Sequence, residues 1–472
     1  MKRNIITLAI TTLMLSSCGI YTKYQPATTV PEDLFGAAET VSDTIHNIAK
    51  LNWRQLFVDP HLQSLIEQGL RNNTDLQSAH WRVEEARASL SSARLAYLPS
   101  FAFSPQGTVS SFDKGKAGQS YSLPITSSWE IDIFGRLTNA NRRAKALYIQ
   151  SQEYELAVKT QLIANLANTY YTLLMLDAQL AISEETEVKW KESVRVMQAL
   201  KNAGQGNEAG LAQTEATYYS ICTTVLDLKE QIRQAENSLC LMLGETPQFI
   251  RRGTLDGQVL PQDLSVGIPL QLLANRPDVR SSELALAQAF YTTNEARSAF
   301  YPSITLSGSA GWTNGVGEVV MNPGKLLLSA VGSLTQPLFN KGQNIARLKI
   351  AKAQQEEAKL SFTQTLLNAG AEVNNALKQN QTARDKSDLY QRQISSLQTA
   401  VTSTQLLMQH GNSTYLEVLT AQQTLLTAQL TQVSNRFQEI QGIINLYQAL
   451  DTIKVDTRNK TVQEIAQEIM VQ

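Results

Sequence analysis

The sequence predicts a mainly α-helical protein with a β-barrel part, built from two internal repeats that each supply two strands. Three observations support this prediction: a duplicated segment, two very long helical stretches and two pairs of alternating strands. Asn73-Thr74-Asp75 corresponds to Arg276-Pro277-Asp278, and Pro99-Ser100 returns as Pro302-Ser303, each 203 residues later without a gap. A period of this length indicates a duplicated domain-sized unit rather than a short solenoid repeat.

The composition favours long helices with a modest apolar stripe. Hydrophobic residues make up 43% of the chain but aromatic residues only 7%, and the formal net charge is −1. This charge balance lacks the basic footprint of a nucleic-acid-binding protein, so we expect no nucleic-acid partner.

The N-terminus has the pattern of an export signal. Lys2 and Arg3 precede an apolar run over residues 5–15, which is too short to span a bilayer as a helix. The ending Leu15-Ser16-Ser17-Cys18 resembles a bacterial lipobox, which implies a lipoprotein signal peptide over 1–17 and a covalent lipid on Cys18. An ordinary signal peptide with an incidental cysteine is the alternative. Residues 18–50 are polar and contain two prolines, and they are interpreted as a lipid-anchored tether.

The first repeat covers residues 51–268. Apolar residues at three- and four-residue spacing predict a helix over about 61–97, which Pro99 ends. The rest of this repeat consists of a β-hairpin over 100–133, a long helix over 139–203, a return helix over 208–243 and a connector.

The second repeat covers residues 269–452 and has the same order of elements. It consists of a helix, a β-hairpin over 303–339, a long helix over 344–409 and a return helix over 414–450, followed by a C-terminal tail over 453–472. Each long helix would extend for roughly 95 Å at 1.5 Å per residue, which is too long for a compact core. We therefore expect each repeat to form a rod in which one long helix packs beside two shorter helices stacked end to end, with a small belt where the connector and chain ends gather.

The strand candidates indicate a membrane-spanning sheet. Tyr121, Leu123 and Ile125 alternate with Ser122 and Pro124, and this period-two pattern continues over more than a dozen residues. Strands of about 12 residues suit a tilted spanning strand, but an open sheet of four cannot sit in lipid because its edges leave backbone groups unpaired. Several copies would have to close the barrel, in a number that the pattern leaves open. An ordinary soluble sheet is the alternative.

No pattern indicates an enzyme or a metal site. Cys222 and Cys240 lie 18 residues apart in one predicted helix, about 27 Å, which is too far for a disulfide, so both are interpreted as buried thiols. The four histidines have no metal-ligand spacing, and no nucleophile–base arrangement stands out. Gly204-Gln205-Gly206 follows a helix rather than a strand, which argues against a dinucleotide loop. We expect no cofactor besides the lipid on Cys18.

The whole chain resembles the TolC-like outer-membrane efflux proteins, in particular the lipoprotein (NodT/OprM-like) branch that serves resistance-nodulation-division pumps. The motifs that carry this resemblance are Arg276-Pro277-Asp278-Val279, the segment 296–304, Asn73-Thr74-Asp75-Leu76 and Asp132-Ile133-Phe134-Gly135-Arg136. The resemblance implies a homotrimer with a twelve-stranded barrel in the outer membrane and a long α-helical coiled-coil barrel in the periplasm. It also implies a periplasmic membrane-fusion adaptor and an inner-membrane transporter as partners.

The resemblance further implies functional positions at the two helix tips. In the family, acidic residues follow the glycine of the second tip; here these positions hold Glu417 and Thr420, so only one acid is present. Three copies of Glu417 would form a carboxylate ring that attracts cations at a periplasmic constriction, and a solvated helix carboxylate is the alternative. By position, the adaptor-contacting tips are Gly204, Gly206, Asn207, Glu208, Gly411, Asn412 and Ser413.

These observations together predict the outer-membrane channel of a tripartite efflux system, which exports cargo without changing it chemically. The duct of a type I protein-secretion system is the second hypothesis. A structural coiled-coil lipoprotein that spaces two membranes is the third, but it does not explain the alternating hairpins. The sequence reveals neither the cargo nor the particular pump.

Overall fold

The computed structural model describes residues 22–25, 52–111, 113, 115–259, 276–313, 325–410 and 413–450. Cys18, Gly411 and Asn412 lie outside these residues, as do the predicted signal peptide, most of the predicted tether and the C-terminal tail. The described helices are α1 Trp53–Leu56, α2 Pro60–Asn72, α3 Thr74–Leu95, α4 Arg136–Asn202, α5 Glu208–Leu243, α6 Pro277–Ser298, α7 Gln343–Gln409 and α8 Tyr415–Leu450. The described strands are β1 Ser100–Phe103, β2 Gln106–Ser110, β3 Gly118–Ile131, β4 Ser303–Thr313 and β5 Lys325–Thr335.

The two long helices are matched copies. Helices α4 and α7 each contain 67 residues, begin 207 residues apart (136 to 343) and extend for about 100 Å. Each begins after a glycine in the left-handed region, Gly135 with φ 71° and Gly342 with φ 77°. Helix α4 begins three residues before the predicted 139, because Asp132 caps it by accepting hydrogen bonds from the amides of Leu137 at 3.0 Å and Thr138 at 2.7 Å. No helix among the described residues is long and apolar enough to cross a membrane.

The single helix predicted over 61–97 is wrong, because the structure divides it into α2 and α3 at Asn73. This residue has extended backbone angles, and its side-chain oxygen accepts a hydrogen bond from the amide of Leu76 at 3.0 Å. Its side-chain nitrogen donates to the carbonyl of Met242 at 3.0 Å. Asn73 therefore caps α3 and ties it to the end of α5 at the same time.

The helices form one layer in which two helices of the first repeat lie beside two helices of the second repeat at both ends. On the sheet side α3, α4, α6 and α7 are neighbours in that order, and farther from the sheet the order is α5, α4, α8 and α7. The short helices α3 and α5 follow one another along α4, whereas α6 and α8 follow one another between α4 and α7. One edge of the layer is therefore formed by α3 and α5, and the other edge by α7.

The strands form one antiparallel sheet in the order β1/β2, β3, β4 and β5. Both β1 and β2 pair with β3 on the same side, so they act as one interrupted strand. The interruption lies opposite Pro124, whose carbonyl accepts a hydrogen bond from the amide of Ser104 at 3.1 Å. Strands β3 and β4 join the two repeats, with Ile131 opposite Ile304. The sheet therefore has two edges, β1/β2 and β5. They lie on the same sides as the two edges of the helix layer, α3/α5 and α7.

The main core is a belt halfway along the long helices. The side chain of Phe57, which follows α1, is fully buried between Tyr171 of α4 and Tyr447 of α8, with ring centroids 6.5 and 5.8 Å away. The described part of the connector joins this belt through Arg252, which pairs with Asp177 at 2.5 Å and with Glu236 at 2.7 Å. The described part of the connector thus lies where the shorter helices meet, at the place that the sequence predicts for the connector.

Candidate functional site

The sheet has one apolar face and one hydroxyl-bearing face. On the apolar face Trp129 lies opposite Leu306, and Ile125 lies opposite Ala310. The opposite face carries mostly serine and threonine, and the hydroxyls of Ser309 and Ser329 are 2.8 Å apart. The apolar side chains remain exposed in the single chain: Phe101, Phe103, Leu123, Ile125, Trp129, Leu306, Trp312, Leu328 and Leu334. A sheet with this division is suited to lipid on one side and water on the other.

Two tryptophans bound the apolar face along the strands. Trp312 lies opposite Leu123, and Leu123 precedes Trp129 by six positions, so the two rings are about 20 Å apart along the strand direction. The indole nitrogen of Trp129 donates to the carbonyl of Tyr97 at 2.9 Å. An apolar band between aromatic residues is typical of strands that cross a bilayer between its two interfaces.

The charges at the helix-side rim of the sheet are paired. The guanidinium of Arg136 donates through Nε to Glu130 at 2.6 Å and through a second nitrogen to the other carboxylate oxygen. Both residues belong to the exit from β3 into α4. A bidentate pair of this kind fixes the turn between strand and helix.

The first helix tip is a tight turn between α4 and α5. Gly204 has φ 73°, and the amides of Gln205 and Gly206 donate to the carbonyl of Leu200 at 2.9 and 3.1 Å. Asn207 caps α5 by accepting a hydrogen bond from the amide of Gly210 at 2.8 Å. Glu208 forms an ion pair with Lys201 across the turn, and Gly204, Asn207 and Glu208 are exposed.

At the second tip, Glu417 and Thr420 are exposed on the first turns of α8. The carboxylate of Glu417 accepts a hydrogen bond from the hydroxyl of Ser413, and its amide donates to the carbonyl of Thr414 at 3.1 Å. The hydroxyl of Thr420 donates to the carbonyl of Leu416 at 2.9 Å. Within this single chain, Glu417 therefore stabilises the start of its own helix and leaves its charge facing solvent.

A contact that the sequence did not predict joins the two helix pairs near their tips. The hydroxyl of Tyr415 donates to the carbonyl of Ser193 at 3.4 Å, and the ring of Trp190 is 2% exposed. Trp190 packs in a small cluster with Ile221 of α5, with Leu419 and Leu426 of α8, and with the partly buried Ile182, Tyr218, Tyr415 and Leu430. We call these residues the tip cluster. A tryptophan at a stripe position of an otherwise polar helix is the one signal that could have indicated it.

A buried polar network fixes the segment before α2 in the belt. The carboxylate of Asp59 accepts hydrogen bonds from the hydroxyl of Tyr170 at 2.6 Å, the amide nitrogen of Gln258 at 2.9 Å and the backbone of His61 at 2.8 Å. Burial raises the pKa of Asp59, but these hydrogen bonds outweigh it, so the pKa lies below its ordinary value of 3.8. Burial and the Asp59 carboxylate raise the pKa of Tyr170, which therefore stays a hydrogen-bond donor.

Both repeats of the chain match the same protein-family profile. The profile described as "Outer membrane efflux protein" matches residues 65–245 and again residues 268–452, once for each repeat. The chain belongs to the outer membrane efflux protein family. Members of this family are channel proteins, and the mainly helical fold with a strand part agrees with that membership.

Similar proteins extend over nearly the whole chain. Cation efflux system protein CusC of Escherichia coli O6:H1 is 30% identical over 442 residues, covering 93% of this chain and 96% of the relative. The probable outer membrane lipoprotein SilC of Salmonella typhimurium is 28% identical over 446 residues, covering 93% and 96%. A crystal structure of CusC, from work on its folding and transmembrane channel formation, has a TM-score of 0.81 at 29% identity and covers 91% of this chain and 98% of that one.

The predicted fold class, family and function are thus confirmed. The protein is an outer-membrane channel component of an efflux system, located in the outer membrane and extending into the periplasm. Within the described residues, no group of three or more His, Cys, Asp or Glu side chains is placed to hold a metal ion. Cys222 and Cys240 are free thiols; Cys240 is buried as predicted, whereas Cys222 is only half-buried.

Proposed function

We propose that three copies of this chain form one continuous duct, with a twelve-stranded barrel in the membrane and a helical barrel in the periplasm. The observation that carries the proposal is the shared order of the two layers. The β1/β2 edge continues into α3 and α5, and the β5 edge continues into α7, so sheet and helix layer are open at the same two sides. An open sheet edge in lipid leaves backbone groups unpaired, and a neighbouring copy at each side removes both edges.

The resemblance to TolC-like channels supports three copies. With β1 and β2 counted as one interrupted strand, each chain supplies four strands, and three chains supply twelve. Single-chain barrels of bacteria begin at about eight strands, so one chain alone cannot close. A head-to-tail interface, with different surfaces on the two sides, is the type that generates rings.

The duct is proposed to work with a periplasmic adaptor and an inner-membrane transporter of the resistance-nodulation-division type. The adaptor would contact the two tips, through Gly204, Gly206, Asn207, Glu208, Gly411, Asn412 and Ser413. The exposed Glu417 would give a ring of three carboxylates at the periplasmic constriction, with Thr420 adding hydroxyls but no charge. CusC is named a cation efflux protein, and a carboxylate ring would suit cationic cargo.

The anchor is proposed to be a covalent lipid on Cys18. Tyr24 lies six residues later, and its ring packs edge-on against Phe290 of α6 with centroids 5.9 Å apart. The name of SilC, a probable outer membrane lipoprotein, agrees with such an anchor. Mass spectrometry of the N-terminal peptide should show the acyl chains, and the Cys18→Ser variant should lack them.

Single-channel recording in planar bilayers tests the proposed duct. The purified protein should give discrete conductance steps, because a closed barrel with a hydroxyl-bearing lumen conducts ions. Glu417→Gln should shift the reversal potential in a salt gradient away from cation preference, whereas Glu230→Gln, which removes an exposed carboxylate on α5 away from the tips, should not. A structural coiled-coil lipoprotein would give no steps at all. Identifying the proteins that co-purify with the duct distinguishes a drug or cation pump from a type I secretion system.

A further inference from the structure

The junction between the two repeats inside one chain can be used as a template for the junction between chains. Helices α4 and α7 are both 67 residues long, α5 and α8 are both 36, and both pairs are 207 residues apart. Helices α3 and α6 are both 22 residues long and lie 203 residues apart. Every position of these helices therefore has a defined counterpart in the other repeat. Between strand and long helix, Ile133-Phe134 corresponds to Leu338-Phe339, 205 residues later, and this offset applies to β3 and β5.

At the internal junction, α4 of the first repeat packs against α6 and α8 of the second. The counterpart of α4 is α7, and the counterparts of α6 and α8 are α3 and α5. These counterparts are the two open edges of the chain. We propose that α7 of one copy packs against α3 and α5 of the next with the residue register of the internal α4 junction, an inference that rests on the proposed homotrimer.

The first consequence is an ion pair between copies in the periplasmic part. At the internal junction the side chain of Gln179 donates to the hydroxyl of Ser434 at 2.9 Å and approaches the carbonyl of Leu430 at 3.4 Å. The counterpart of Gln179 is Lys386, and the counterpart of Ser434 is Asp227. Both are exposed in the single chain and carry opposite charges. The template thus brings Lys386 of one copy to Asp227 of the next, where their charges attract.

The second consequence is an apolar contact at the rim between sheet and helices. Inside the chain the ring of Phe134 stacks on that of Tyr301, with centroids 5.1 Å apart and an angle of 20°. The counterparts are Phe339, which is 87% exposed, and Leu98, which is 61% exposed. Both side chains are large and exposed in the single chain, and the template packs each of them against the other.

The template also gives a strand register between copies that agrees with the alternation of the apolar and hydroxyl-bearing faces. The internal pair of Ile131 with Ile304 becomes a pair of β5 with β1 of the next copy, which places Leu334 opposite Phe103. Leu334 pairs with Ile304 and Phe103 pairs with Ile125, so both already lie on the apolar face. A register shifted by one residue would have put one of them on the hydroxyl face. The sequence offsets between the repeats thus place both side chains on the same face of the sheet.

The same template predicts one unfavourable contact. The side chain of Gln288 donates to that of Gln150 at 2.6 Å inside the chain, and the counterparts are the two carboxylates Glu85 and Glu357. Like charges at this separation repel and oppose association. The two charge contacts should therefore have opposite effects on trimer stability. Neutralising Lys386 should weaken the assembly, and neutralising Glu357 should strengthen it.

Cysteine crosslinking tests the register. In a Cys222→Ser background, Lys386→Cys and Asp227→Cys in the same chain should be joined between copies by a short bis-maleimide. Two helices separate α7 from α5 within one chain, which makes a crosslink inside the chain too long. Most of the protein should then migrate as covalent dimer and trimer on a denaturing gel. In the matched control Asp227→Cys is replaced by Lys229→Cys, whose native lysine pairs with Glu184 of its own chain at 2.8 Å, and this control should stay monomeric.

The mass of the uncrosslinked protein in detergent tests the proposed trimer separately from the proposed register. A trimer whose Lys386→Cys and Asp227→Cys positions do not crosslink, or crosslink no better than the control, overturns the register but leaves the proposed duct. A stable single protomer overturns the proposed trimer itself. As a second measurement, Lys386→Gln should lower the temperature at which trimers dissociate, and Glu357→Gln should raise it. Shifts of the same sign in both variants would contradict the template.

Discussion

Arg276 is expected to be the side chain whose loss weakens the periplasmic part most directly. It lies at the start of α6, with a side chain that is 7% exposed, and donates to the carbonyl of Ala449 in the last turn of α8 at 2.9 Å. It also contacts Asp278 and Glu372, both at 2.7 Å. Arg276 therefore ties together the ends of the two stacked helices and the middle of α7.

The structure sets the magnitude of this effect. The bond to Ala449 is buried, and leaving a buried carbonyl without a donor costs about 1–3 kcal/mol. Asp278 and Glu372 have side chains that are 44% and 57% exposed, and exposed pairs contribute about 0–1 kcal/mol each. We expect Arg276→Gln to cost roughly 2–3 kcal/mol, which lowers the unfolding midpoint by about 5–10 °C for a cooperative unit of ordinary domain size.

Thermal unfolding followed by helical circular dichroism at one fixed scan rate measures this shift. Glu372→Gln is the matched control, because it removes only the exposed partner and should move the midpoint little. If Arg276→Gln unfolds at the wild-type temperature, or if Glu372→Gln is equally harmful, the buried bond to Ala449 is not what holds the helix ends together.

Three further perturbations test the α7–α8 contact, the Asp59 network and the tip cluster. Gly442→Ala should destabilise α7–α8 packing by about 1–3 kcal/mol, since a Cβ there would lie 2.9 Å from the backbone nitrogen of Asn380; unchanged denaturant midpoints would contradict this close approach. The pKa of Asp59 is lowered, so its contribution to stability is complete above pH 3.8 and is lost as pH falls through the folded-state pKa. Tyr170→Phe should reduce this loss of stability at low pH, measured by urea titrations at several pH values. An unaltered loss of stability at low pH would count against the network. Trp190→Ala should loosen the tip cluster and raise the open probability in bilayer recordings, whereas replacing the 67% exposed Trp81 should leave gating unaltered; equal gating in both variants would rule out the cluster as a closing contact.

Much of the fold could be predicted because its signals are local. The long helices lack proline, and α4 also lacks glycine, so helical periodicity gave their positions to within a few residues. Strand alternation likewise identified β3 and its faces. The break at Asn73 was missed because its reason is tertiary: the capping side chain also bonds to Met242, 169 residues away.

The candidate sites were predictable to different degrees. Glycine and asparagine mark the first tip, and the structure places the turn there. The tip cluster and the Asp59 network join residues that are far apart in the chain, such as Asp59 and Tyr170, which are separated by 111 positions. No local pattern encodes such contacts. The roles of Cys18, Glu417, Thr420 and the adaptor-contacting tips stay predictions.

A single chain is proposed to leave two open sides that only further copies can close. Native mass spectrometry of the full-length protein, released from detergent micelles, measures this directly. We expect a single species with the mass of three protomers. A species with the mass of one protomer, stable at the concentrations at which the protein conducts, would contradict it.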